Sequence, residues 1–141
     1  MAEDLLCYVT NNTSDSYSPT SYLEHGEEYP LAAQTIAANS GQTLVFSFKK
    51  SPLAAHGVTG YVTYTLTDGT VLTFTFNNPH DQEGQAGSSN VYFYAGLTNV
   101  PSSGTLYVIS CSVNLDGQSL SPTDPPIGTV LTADVTISLN V

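Results

Sequence analysis

Tryptophan is absent from the chain, and positive charge nearly so: two basic side chains, Lys49 and Lys50, face twelve acidic ones, for a formal net charge of −10 over 141 residues. Nucleic-acid binding needs several cations to displace counterions from phosphates, so nucleic-acid partners are excluded. An anionic membrane surface repels the chain for the same reason. Such acidity favours solubility and discourages self-association, although it leaves a homodimer open. Cysteine is scarce as well. Cys7 and Cys111 have no short-range partner and are too few for a zinc site. Each stands in an apolar strand pattern, the setting of a buried free thiol, while a bridge between them stays open in an oxidising compartment.

Long apolar runs are missing, which argues against a membrane span. The first residues, MAEDLLCYVTNN, carry neither the basic region nor the apolar core of a leader peptide. The expectation is a soluble protein, cytoplasmic or exported without a signal peptide. The sequons at Asn11 and Asn12 matter only on a secretory route. No window sustains helical periodicity, and at this length one β-rich domain over residues 1–141 is expected to bury roughly two-thirds of its unfolded surface.

What the chain does have is alternation. Leu5–Thr10 is a short apolar strand that ends in Asn-Asn. Residues 11–30 are polar, with a short strand near 21–24 and the run Glu24-His25-Gly26-Glu27-Glu28 expected as a solvated turn. Residues 31–38 are ambiguous between helix and strand and are taken as strand, since Pro30 and Asn39-Ser40-Gly41 bound them. Over 43–48 the split places Leu44, Phe46 and Phe48 on one face and Thr43, Val45 and Ser47 on the other. Then Val58, Val62, Tyr64 and Leu66 oppose Thr59, Tyr61, Thr63 and Thr65, and Leu72, Phe74 and Phe76 oppose Thr73 and Thr75. Asp68-Gly69 between them is a hairpin signal, because this pair tolerates positive φ. Residues 77–89 read as loop. Val91, Phe93 and Ala95 then oppose Tyr92 and Tyr94, and strands are expected over 106–113 and 131–141. Eight to ten such strands without a repeat predict an all-β, two-sheet antiparallel sandwich, with a closed barrel as the alternative.

The middle of the chain also carries a spaced motif: Gly57-Val58-x-Gly60, Tyr64, Asp68-Gly69, Leu72, Phe76, Pro79-x-Asp81, Asn90-Val91, Tyr94 and Gly96. Without a gap, it resembles the core of the actinoporins, β-sandwich cytolysins that recognise choline-headgroup lipids, and Asn39–Phe46 looks like the preceding family strand. The resemblance covers about half the chain and implies the sandwich. Where actinoporins crowd Trp and Tyr between the equivalents of Asp81 and Asn90, this chain has Gln82-Glu83-Gly84-Gln85-Ala86-Gly87-Ser88-Ser89. Such a loop offers no interfacial anchor and no cation–π box. The family's Ser-x-Pro headgroup element corresponds to Asn77-Asn78-Pro79, the later Tyr cluster has no clear counterpart, and no counterpart of the pore-lining amino-terminal helix is expected. Fungal fruit-body lectins provide a non-lytic precedent for the same general sandwich.

No catalytic constellation, metal spacing or cofactor motif stands out, so neither an enzyme nor a cofactor is expected. His25 lies between carboxylates, an arrangement that usually means an exposed side chain. His80-Asp81 with Glu83 is better read as a capped polar loop than as an acid/base pair. The candidate ligand site is Asn77, Asn78, Pro79, His80, Asp81, Gln82 and Gln85, whose amides both donate and accept toward sugar hydroxyls, with Tyr92 as a stacking ring. Tyr17, Tyr22 and Tyr29 form a second candidate surface. The expected function is non-enzymatic recognition of a glycan or lipid headgroup, in a defence or immunomodulatory setting and without pore formation. The alternative is a cytolysin with a different membrane-inserting element.

Overall fold

The computed structural model describes residues 4–51, 56–79, 91–119 and 130–140. Ten strands are found among them: β1 (Asp4–Asn11), β2 (Pro19–His25), β3 (Glu27–Leu31), β4 (Ser40–Lys49), β5 (Val58–Thr65), β6 (Val71–Asn78), β7 (Tyr92–Thr98), β8 (Tyr107–Leu115), β9 (Gln118–Ser119) and β10 (Val130–Leu139). They form a six-stranded sheet, ordered β3-β4-β1-β10-β8-β9, and a four-stranded sheet, ordered β2-β5-β6-β7. Two separate sheets settle the choice between sandwich and barrel. The pairing is antiparallel except for β1 with β10, which run parallel from Asp4↔Val130 to Asn11↔Ile137.

The inner faces follow from alternation, since every second side chain of a strand points to the same side. β1 and β6 alternate strictly between buried and half-buried residues, and β10 does so up to its last residue. The interior is aromatic at its centre. Phe46 stacks on Phe48 within β4 at 4.6 Å and meets Phe74 and Phe76 of the other sheet at 6.3 and 6.0 Å. Phe93 completes the group, 5.5 Å from Phe74. Offset and tilted rings at these separations add to the apolar area they remove from water.

Several local expectations need correction. Leu44 does not share a face with Phe46 and Phe48. The register runs Cys7↔Phe46 and then Tyr8↔Leu44, so a β-bulge at Val45 turns Leu44 toward the outer face beside Tyr8. Val45 is the residue left unpaired, and it is buried. Ser47 is buried although it faces outward, because its register neighbours are Leu6 and Leu31.

The strand expected over 31–38 lies earlier. β3 takes in Glu27 and Glu28, with Glu27 opposite Lys49 and Leu31 opposite Ser47. Pro30 is tolerated there because β3 is an edge strand. Only Gly26, at φ 108°, makes the turn expected of the whole acidic run. The small side chains of 32–38 bring little to a sheet, and Ile36 alone bridges, to Tyr17. Tyr17 is accordingly core, not surface: its ring meets Tyr107 edge-on at 6.1 Å, and its hydroxyl bonds with Thr13 at 2.6 Å.

Both cysteines are free. Cys7 is buried as expected, whereas Cys111 is exposed, so the burial reading holds for one of the two. Burial and then the neighbouring Cys111 and Asp134 push the Cys7 thiol well above its usual pKa.

Candidate functional site

The proposed ligand residues divide in the structure. Asn77, Asn78, Pro79 and Tyr92 are described; His80, Asp81, Gln82 and Gln85 lie outside the described residues. Asn77 and Asn78 are neighbours on β6 and therefore face opposite ways. Asn78 points inward, is fully buried, and donates from Nδ2 to the Asp4 carbonyl at 2.9 Å, tying the end of β6 to β1. Asn77 points outward, where its Oδ1 accepts a 2.6 Å hydrogen bond from Thr59 Oγ1. Tyr92 is its register partner on β7.

From Asn77 and Tyr92 an ordered surface extends across the four-stranded sheet. One cross-strand row is Thr59, Asn77 and Tyr92; the next is Tyr22, Tyr61, Thr75 and Tyr94. Tyr22 and Tyr61 lie 5.5 Å apart at a 36° tilt, and Tyr92 stacks on Tyr94 at 5.4 Å and 28°. The two pairs flank Thr75 as a platform of rings with hydroxyl and amide groups between them. Tyr22, Tyr61 and Tyr94 are 53%, 42% and 55% exposed, and an aromatic face left open to this degree calls for an explanation.

Electrostatics narrow what the platform can hold. The Tyr92 hydroxyl is pushed up by partial burial, then by Tyr94 and by the charge of Glu24, so this carboxylate of β2 acts across the face as far as β7. Aromatic rings with a carboxylate at their edge suit a cation, and a diffuse quaternary ammonium above all. The rings also suit the apolar face of a pyranose, with the Thr75 hydroxyl between them.

Close approach of β2 to β5 is needed to pair Tyr22 with Tyr61, and Gly60 permits it. A Cβ at position 60 would collide with the Tyr22 carbonyl oxygen and stand 2.9 Å from Leu23 Cα. The register shifts between Leu23 and His25 at this point. The His25 ring stacks on His56 at 3.8 Å, and among the described residues no group of three or more His, Cys, Asp and Glu is placed to hold a metal. Tyr29 stands apart on β3, with Lys49 Nζ 4.5 Å above its ring.

Sequence reasoning placed Tyr92 and Tyr22 in two separate candidate surfaces and did not join them with Tyr61 and Tyr94. The available signal was the set of tyrosines at outward positions 22, 61, 92 and 94; what was lacking was the strand order that brings them into one patch.

The architecture is the actinoporin-like β-sandwich that the motif implied. Among solved structures, the chain is similar to the lipid binding protein Nakanori, at 14% identity and a TM-score of 0.63, covering 98% of this chain and 72% of that one. It is similar to RahU protein, solved in complex with a Tris molecule, at 12% identity and 0.60, covering 99% and 96% of the two chains. IP-1A from Alcaligenes faecalis aligns at 13% identity and 0.63, covering 99% and 92%. Identities this low establish the shared fold. No protein-family model and no curated protein matches the sequence.

Proposed function

We propose that this is a non-enzymatic recognition protein that binds the choline-type headgroup of a lipid on the tyrosine platform of its four-stranded sheet. The carrying observation is the exposed row Tyr22, Tyr61, Thr75 and Tyr94, with Tyr92 and the charge of Glu24 beside it. Tyrosine combines an apolar ring with a wet hydroxyl and is favoured at membrane interfaces. A net charge of −10 opposes anionic headgroups and leaves zwitterionic ones accessible. The description of Nakanori as a lipid binding protein agrees with this reading. Among the described residues no helix is long and apolar enough to cross a membrane, and the platform needs none: binding from the surface is sufficient. Pore formation is not part of the proposal.

Co-sedimentation with sphingomyelin or phosphatidylcholine vesicles tests it, with phosphatidylserine vesicles as the control. Tyr61→Ala is expected to weaken choline-lipid binding about tenfold, the scale of one lost cation–π contact. Equal pelleting of wild type and variant, or none with either choline lipid, would overturn the reading. A second reading keeps the platform and exchanges the ligand for a glycan, favoured by Thr59, Thr75 and Asn77 between the rings. A glycan array with the same variant distinguishes the two.

A further inference from the structure

The opposite outer face, on the six-stranded sheet, is built differently. Two cross-strand rows lie side by side there: Thr10, Thr136 and Ser110 in one, Tyr8, Asp134 and Ser112 in the other. Short side chains in adjacent rows leave a shallow depression of about 440 Å³, lined by Thr10, Gln42, Ser110, Cys111, Ser112, Asp134 and Thr136. That volume falls in the range of roughly 300–1,000 Å³ usual for small-molecule sites.

The polar groups in the depression are oriented and largely unused. Gln42 reaches in from β4 and donates from Nε2 to Asp134 Oδ2 at 2.7 Å, which holds the carboxylate in place. Among the described residues, Asp134 Oδ1 and the hydroxyls of Thr10, Ser110, Ser112 and Thr136 make no hydrogen bond. A carboxylate that accepts from two adjacent hydroxyls, ringed by side chains that both donate and accept, matches the vicinal diol of a sugar. Half-buried Tyr8, the register neighbour of Asp134, sets an aromatic side chain at the border, the usual partner for the apolar face of a pyranose ring. The carboxylate and the overall charge of −10 work against phosphorylated, sulfated or sialylated ligands and favour neutral or amino sugars.

We propose that this depression is a binding site for a neutral or amino-substituted monosaccharide, separate from the tyrosine platform. The two lie on outward faces of opposed sheets, so one small ligand cannot occupy both, and the proposal does not rest on the headgroup reading.

The test is a two-dimensional amide NMR titration of the full chain with methyl glucoside, methyl galactoside, methyl mannoside, N-acetylglucosamine and glucosamine, each to about 20 mM, where millimolar binding is visible. At least one sugar is expected to shift the Ser110, Ser112 and Asp134 amides saturably. Asp134→Asn and, separately, Ser112→Ala should each weaken that sugar by about tenfold while Tyr61→Ala leaves it unchanged. Unperturbed amides elsewhere in each variant's spectrum exclude misfolding as the cause. No saturable shift at the three amides with any sugar would overturn the proposal. So would shifts confined to the tyrosine platform, or affinities unaffected by both Asp134→Asn and Ser112→Ala.

Discussion

The two sheets contribute the same kind of inner face and opposite kinds of outer face. Within the four-stranded sheet, β5, β6 and β7 are consecutive in sequence and pair as neighbours. Its outer face carries rings. The six-stranded sheet is assembled from both ends of the chain, with β1 lying between β4 and β10. Its outer face carries short hydroxyl side chains around Asp134. The difference is that an inward face must satisfy packing and so converges on Phe, Val and Leu, while an outward face is free to specialise. Function on this scaffold is therefore sought outside the sandwich, and each sheet can be perturbed separately.

The largest effect is expected where the sheets meet. Phe46 contacts Phe48, Phe74 and Phe76 and is fully buried. Phe46→Ala should cost about 3–5 kcal/mol, a large part of the roughly 5–15 kcal/mol available to a domain. Urea unfolding measures it, and a loss below about 1 kcal/mol would mean that the two inner faces are not packed as described. Next comes the four-stranded sheet alone. Gly60→Ala forces β2 away from β5 and is expected to cost about 1–3 kcal/mol as an overpacking change. Hydrogen exchange should then show lost protection in β2 with β6 still protected. Uniform loss across both sheets would show that β2 is not separable from the rest.

The same contrast explains what the sequence made legible. Alternation identified the inner residues of β5, β6 and β7, because burial on one face imposes a period of two. The Asp68-Gly69 turn was legible for a local reason, as Gly69 takes φ 89°. Leu44 was misassigned because a bulge changes the period at one residue, and nothing in the residue types at 43–48 marks it. The edge strand β3 was displaced by a few residues because its pairing with Lys49 and Ser47 is tertiary. Both candidate surfaces depend on strand order: Tyr22 and Tyr61 are 39 positions apart, and Thr10 and Thr136 are 126 positions apart. Periodicity alone does not reveal such neighbours. Of the amide pair, Asn77 and Asn78, the strand's own alternation sends one to the platform and the other to the core.

The cysteines compare a buried with an exposed position within the six-stranded sheet itself. Cys7 is wholly buried, and Cys7→Ser places a hydroxyl among apolar side chains at a cost of about 1–3 kcal/mol. Cys111 is exposed, and Cys111→Ser should stay within about 0.5 kcal/mol. Native alkylation followed by mass spectrometry should modify Cys111 alone. Fast labelling of both would mean that β1 is not held between β4 and β10.

The smallest effect is expected where the hairpin of one sheet is fastened to the other. Asp68, in the turn between β5 and β6, accepts hydrogen bonds from Thr70 N at 2.9 Å, Thr105 Oγ1 at 3.0 Å and Leu106 N at 3.1 Å, the last two just ahead of β8. Desolvation raises the carboxyl pKa, but the bonds from Thr70, Leu106 and Thr105 outweigh it and hold the group at about 2, below its ordinary 3.8. A pKa depressed in the folded state contributes stability that is complete above the unfolded value and is lost as the pH falls through the folded one. Wild type should therefore be more stable than Asp68→Asn at about pH 6, and the gap should close between pH 3.8 and about 2. Thermal melts of both proteins across that window measure the closing. A gap that persists unchanged at the acid end would show that the charge of Asp68 is not what joins the turn to β8, leaving the packing around Tyr107 to join the sheets at this end.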